Sequence, residues 1–189
     1  GGADKVRAAE RVRQWTEHYP AVAARHEDSF GNHPKHTFFY PAEEYDPDLV
    51  DQIKQLCARG FGDVEVHLHH DNDTGENFRR VIGEYANTLH ERHGLLRKDP
   101  VTGKAVYCFI HGNWALDNSR PDGRWCGVDN EIDILVETGC YADMTMPSAP
   151  SDTQTRTINS IYFARGRPGQ RKSHATGRDV RAGRWGDAG

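Results

Sequence analysis

The feature that most constrains this chain is a repeated succession of short apolar strand pattern, polar cluster and amphipathic helix pattern. The first unit opens at "HTFFY" (36–40), whose aromatic and β-branched residues suit a short buried strand. "DPDLVDQIKQLCARG" follows, with Asp46 as expected N-cap, Pro47 at the first helical position and Gly60 as the stop. Leu49, Ile53, Leu56 and Cys57 fall on one face of that helix. The second unit is a strand over 64–69, then Asp73 and Glu76 at capping-box spacing, then a stripe of Phe78, Ile82, Tyr85 and Leu89 closed by Gly94. The third is "AVYCFI" (105–110), a long loop rich in Gly, Asn, Asp and Trp, and a short helix "NEIDILVETG" stopped by Gly139. "YADMTM" reads as a fourth strand and "TINSIYFA" as a candidate fifth. An opening helix is expected over 4–18, from the spacing of Ala8, Val12, Trp15 and Tyr19, with Pro20 limiting its end.

Strand–helix alternation with short connections argues for an α/β fold with parallel strands. Such folds place working residues just beyond the carboxyl ends of their strands. Here those ends are "YPAEEY", "HHDND", "HGNWALDNS" and "MPSAPS", so polar, chemically capable residues gather at every one. The length fits one domain, expected over 1–164, and the Gly, Arg and Ser content from Arg165 onward marks 165–189 as an irregular tail.

Charge narrows the partners. The formal net charge of −4, with acids and bases mixed, leaves no footprint for nucleic acid or an anionic membrane. No apolar run approaches a membrane span, and no charged-then-apolar start marks a signal peptide, which together suggest a cytoplasmic protein. The start "GGADK" and the end "GRWGDAG" both read as cut. Cys57, Cys108, Cys126 and Cys140 are scattered without a CxxC pair, so reduced and mostly buried thiols are expected.

The stretch "DVEVHLHHDNDT" (63–74) concentrates the chemistry. Side chains alternate along a strand, so Glu65, His67 and His69 share one face, while Val64, Val66 and Leu68 share the other. Three ionisable groups on one face of a buried strand are costly unless paired or bound to a cation. Imidazole nitrogen with carboxylate oxygen is a common set of ligands for zinc and similar divalent ions. Two H-x-x-x-D registers are available, His69 with Asp73 and His67 with Asp71. Asp73 has a competing role as helix cap, and His70, off the strand face, reads as a loop residue or a support for the ligands.

"HTFFYPAEEY" followed by "GFGDVEVHLHHDNDT" resembles the paired segments of polysaccharide deacetylases, carbohydrate esterases of the chitooligosaccharide deacetylase type. The likeness covers roughly the middle half of the chain, and "FIHGNWALDNSRPDGRWCG" with "GCYADMTMPSAPS" extends it toward a bacterial branch of such proteins. The resemblance implies a distorted or partial (β/α) barrel. It also implies a divalent metal ion, usually zinc, and removal of acetyl groups from a sugar or polysaccharide. Carried over, it favours the His69–Asp73 register, with Glu65 under the family's glutamate. The family's first strand, T-F-D-D-G, supplies a base and a metal-ligating aspartate; this chain has no such motif, so its first strand is expected to be missing. The late L-x-H motif is also absent, and His111–Gly112–Asn113 replaces an arginine–proline segment.

Further candidates complete the expected site. His111, at a strand end, suits a proton donor or oxyanion stabiliser, or else a hydrogen-bonded loop residue. Glu43 sits at the first strand's rim as a candidate catalytic carboxylate. Asn113, Trp114, Asp117 and Trp125 combine aromatic faces with amide and carboxylate groups, as sugar recognition requires, and Ser148 in "PSAPS" is expected to line the same groove. No G-x-S-x-G context surrounds a serine, so no serine nucleophile is expected. The rival readings are another barrel metallohydrolase of the amidohydrolase or phosphoesterase type, an inactive carbohydrate-binding module, and a purely structural histidine cluster.

Overall fold

The computed structural model describes residues 5–125 and 127–183. Its elements are α1 (Lys5–Ala23), β1 (His36–Pro41), α2 (Pro47–Ala58), β2 (Gly62–Leu68), α3 (Gly75–Glu91), β3 (Arg97–Lys98), β4 (Ala105–His111), α4 (Glu131–Thr138), β5 (Cys140–Asp143), β6 (Tyr162–Phe163) and β7 (Arg178–Asp179). Strands β1, β2, β4 and β5 run parallel in that order, and the short β3 pairs antiparallel with the start of β4. The expected parallel α/β arrangement is therefore present, as an open sheet flanked by helices; β1 and β5 do not meet to close a barrel. No helix among the described residues is long and apolar enough to cross a membrane.

The core follows from strand parity. On β2, Val64, Val66 and Leu68 are buried, and on β4 Ala105, Tyr107, Phe109 and His111 are buried, while the residues between them keep some exposure. The buried rows pack against Leu49, Val50 and Ile53 of α2, Phe78, Ile82, Tyr85, Ala86 and Leu89 of α3, and Ile134 and Leu135 of α4. The Leu68–His111 pairing sets the two row ends side by side.

Local signals worked where a cap or a stop dictated them. Asp46 accepts from the Asp48 and Leu49 amides and Pro47 starts α2, while Gly139 closes α4 in the left-handed conformation at φ 107°. Three expectations need correction. Pro20 does not end α1, because its carbonyl still accepts from the Ala24 amide at 2.9 Å and the helix runs to Ala23. Thr74, not Asp73, caps α3, its hydroxyl accepting from the Asn77 amide at 3.2 Å. The "TINSIYFA" stretch adds no fifth parallel strand; β6 pairs antiparallel with β7 in a separate two-stranded sheet. A parallel strand is usually reached by a helical crossover, and residues 144–161 between β5 and β6 form no helix.

The segment beyond residue 165 is largely irregular but anchored. Among its described residues it forms, besides β7, a single 3-10 turn over Ser173–Ala175, with Ser173 and His174 buried. Cys57, Cys108 and Cys140 are free and half-buried; Cys126 lies outside the described residues.

Candidate metal centre

The carboxyl ends of the four parallel strands do form one rim, carrying Glu43, His69 and His70, His111, and Asp143 with Thr145 in turn. Within that rim the structure gathers His70, His111 and Glu131, whose ligand-capable atoms all lie within 4.8 Å of one another. His70 Nε2 is 3.2 Å and His111 Nε2 is 3.4 Å from the same Glu131 oxygen, Oε1.

Each residue arrives there for a reason visible in its element. His111 ends the buried row of β4, and His70 continues the even-numbered buried row of β2 one step past the strand. His70 then stacks on Phe78 of α3, with ring centroids 4.8 Å apart and planes 11° from parallel. Glu131 opens α4, where a carboxylate is favoured by the helix dipole, and is completely buried. Gly112 makes the close turn possible: a Cβ there would lie 2.3 Å from Cδ2 of His69.

Hydrogen bonds settle which nitrogens face the cluster. The Gly112 carbonyl can only accept, so the 2.5 Å contact puts the proton of neutral His111 on Nδ1 and leaves a lone pair on Nε2. Likewise the Asp73 carboxylate, 2.9 Å from His70 Nδ1, holds that nitrogen as a donor. This carboxylate–histidine relation is a recurrent support for metal-binding imidazoles. Two imidazole lone pairs and a carboxylate oxygen then converge, an arrangement that requires a proton or a cation between them. His111 Nε2, fully buried, has no hydrogen-bond partner among the described residues. Two nitrogens and one oxygen with an unfilled demand for positive charge fit a divalent ion.

The protonation energetics agree. Burial works against charge on His70, but Glu131 and Asp73 outweigh it and raise its pKa, so it takes up the proton when no ion is present. Burial lowers His111, more than Glu131 can restore, and keeps it neutral. Burial opposes the charge on Glu131, yet the protonated His70 and the Asp117 amide hold its carboxyl below the ordinary range. The second Glu131 oxygen accepts from the Asp117 amide at 2.6 Å.

The residues expected from sequence are placed differently from one another. His69 Nδ1 pairs with Glu43 Oε1 at 2.5 Å on the exposed rim, apart from the buried trio. His67 donates from Nδ1 to the Ile110 carbonyl at 2.7 Å, and its ring meets that of His69 edge-on at 4.5 Å. Asp71 accepts from the Asn72 and Trp125 amides, and Asp73 supports His70. Neither H-x-x-x-D register is thus gathered as a pair; the parity of the strand sends His70, not His69, toward the helices. Trp114 and Asn113 are exposed, and Trp125 lies under the Arg120 and Arg124 guanidinium groups, at 4.4 and 5.1 Å from its ring centre. Asp117 and Ser148, expected to touch sugar, are instead buried. Asp117 accepts from the Ser173 amide and hydroxyl, and Ser148 hydrogen-bonds with Thr153.

Glu131 and Asp143 were missed by sequence reasoning. Glu131 carried a usable signal: it shares the helical stripe of Ile134, Leu135 and Thr138, and a carboxylate on a buried stripe is costly without a partner. Asp143 had no such signal. It keeps solvent-accessible surface, yet dense surrounding protein raises its carboxyl above the ordinary range. Its Oδ2 accepts from Thr145 Oγ1 at 2.8 Å, and Thr145 Oγ1 in turn accepts from the His111 amide at 2.9 Å.

Comparison with known proteins adds little to this geometry. No protein-family profile matches the chain. No solved structure matches it either. Pupal cuticle protein Edg-84A of Drosophila melanogaster is 29% identical over 87 residues, covering 46% of this chain and 44% of that protein. The chain spans less than half the length of this curated relative.

Proposed function

We propose that the chain is a metal-dependent hydrolase that removes acyl groups, acetyl above all, from a sugar or polysaccharide, in the manner of the polysaccharide deacetylases it resembles. The observation that carries this reading is the buried His70–His111–Glu131 trio at the carboxyl edge of a parallel sheet, with one imidazole nitrogen unpartnered among the described residues. Zinc suits its two nitrogens and one oxygen best. The four parallel strands are then consecutive members of the partial barrel that such an enzyme uses.

A bound divalent ion supplies positive charge that polarises an acyl carbonyl. The chain's own residues supply the rest. Asp73 orients His70, the Gly112 carbonyl orients His111, and the Asp117 amide fixes the rotation of Glu131. Asp143, accessible and with a raised pKa, serves as the group that exchanges a proton with the attacking water. Trp114 offers an exposed aromatic face to a sugar ring. The near-complete burial of His111 and Glu131 favours one other reading, a structural ion that ties β2, β4 and α4 together.

The test is acetate release from an N-acetylated chitooligosaccharide by the zinc-loaded chain. Activity is expected to fall at least about 100-fold in Asp143→Asn, the lower end of the range for losing a general base, while zinc content stays at the wild-type level. Because the base works deprotonated, the wild-type rate should rise with pH through the raised Asp143 pKa, and the variant's residual rate should lack that rise. Full zinc binding without acetate release would instead establish the structural ion.

A further inference from the structure

A concave region outside the trio is a cavity of about 310 Å³ whose lining includes Arg156, Arg167, Gln170, Arg171, Lys172 and Thr176. The sequence around it is one-sided: from 153 to 178 the chain holds Arg156, Arg165, Arg167, Arg171, Lys172 and Arg178 and no aspartate or glutamate, although the whole protein is net negative. Several arginines elsewhere are answered by carboxylates, as with Arg13 and Glu17, Arg79 and Glu137, Arg80 and Glu84, and Arg120 and Arg124 with Asp122. Among the described residues none of the four cations lining the cavity forms an ion pair. Arg171 donates to the Asn118 and Pro121 carbonyls, and Lys172 to the Asp152 carbonyl, which holds both side chains in place without neutralising them. Burial and the neighbouring Arg156 lower the pKa of Lys172 despite the attraction of Asp152, as expected where like charges are crowded.

The cavity is built onto the metal centre. The Lys172 amide donates to the Asp117 carbonyl at 2.8 Å, and the Ser173 amide and hydroxyl donate to the Asp117 carboxylate. Asp117 in turn donates its own amide to Glu131. The Arg156 and Thr157 amides both donate to the Ala175 carbonyl, closing the other wall. One short segment, 171–175, thus turns its cations outward and its Ser173 and His174 inward, beside the trio.

From this juxtaposition we infer that the cavity is a subsite for an anionic group, a carboxylate or a sulfate or phosphate ester, carried by the glycan on which the metal centre acts. Forked guanidinium groups match the oxygens of such groups, and the volume accommodates a charged sugar unit. This inference rests on the hydrolase reading for the nature of the chain that bears the charge.

Calorimetric titration of the full zinc-loaded chain tests it, using an oligoglucuronate, a sulfated oligosaccharide and a neutral oligoglucose of equal length. At least one anionic ligand is expected to bind ten-fold or more tightly than the neutral one, with affinity falling as salt rises. Which of the two binds assigns carboxylate or sulfate. Arg156→Ala combined with Arg167→Ala is expected to lose that preference with zinc content and circular dichroism unchanged. Arg171 and Lys172 are left intact because they hold backbone carbonyls. Equal binding of all three ligands, undiminished binding by the double variant, or tighter binding of single-stranded RNA than of either anionic glycan would overturn the assignment. Acetate release, measured alongside, separates the two ideas: anion binding without hydrolysis keeps the subsite and discards the hydrolase, and the converse does the opposite.

Discussion

Asp73 decides which nitrogen of His70 meets Glu131. Its carboxylate accepts from Nδ1 at 2.9 Å and leaves Nε2 directed at Glu131 Oε1. Asp73→Asn keeps the shape but loses the charge, so zinc affinity is expected to fall about 10- to 100-fold, read by competition with a chelator. Unchanged affinity would mean that Asp73 serves α3 alone, through the Thr74 amide and the Asn77 side chain. At this scale the sequence was partly legible. The concentration of imidazole and carboxylate in 63–74 points to a cation, and the structure places Asp73 in a hydrogen bond with His70 of the trio. Its partner did not follow from H-x-x-x-D spacing, because that pattern describes consecutive positions while the pocket is assembled from three separate elements. His111 was legible as a strand-end residue; its burial and its unpartnered nitrogen were not.

At the scale of elements, strand parity explains the difference. An alternating strand has two faces, and the chain spent histidine on both: His67 on the partly exposed row, His70 at the end of the buried one. The odd-numbered face of β2 is richer in ionisable groups, but the helices cover the other. Glu131 lay hidden in a helix only eight residues long, where one carboxylate on the buried stripe passes for an ordinary first-turn acid. Caps follow the same logic, since Asp73 is engaged with His70 and the capping role passes to Thr74. Thr74→Ala should therefore cost about 1 kcal/mol in denaturant unfolding, with zinc content retained. A cost near zero would return the cap to Asp73.

Across the whole molecule, the α/β arrangement and the parallel strand order were legible from alternation and turn residues, since each strand is bounded by its own cap or glycine stop. The joining of distant segments was not. Nothing in the Gly- and Arg-rich sequence after 165 shows that Ser173 and His174 bury themselves against Asp117. Nor does a net charge of −4 reveal a cavity lined by four cations. Protons couple these levels. The raised pKa of His70 contributes stability to the metal-free chain that is complete below the ordinary imidazole range and is lost as pH rises through the folded-state value. A bound ion takes the place of that proton, so affinity should strengthen with rising pH through the same range.

The decisive measurement is zinc titration of the metal-stripped full chain and of His111→Ala, in two buffers of different protonation enthalpy so that proton release is counted. The wild-type chain should bind one ion per chain, release a proton when titrated below the His70 pKa, and lose stoichiometric binding in His111→Ala while His69→Ala binds as the wild type does. Absence of zinc binding by the wild-type chain, or equal affinity in His111→Ala, would contradict a metal centre at His70, His111 and Glu131.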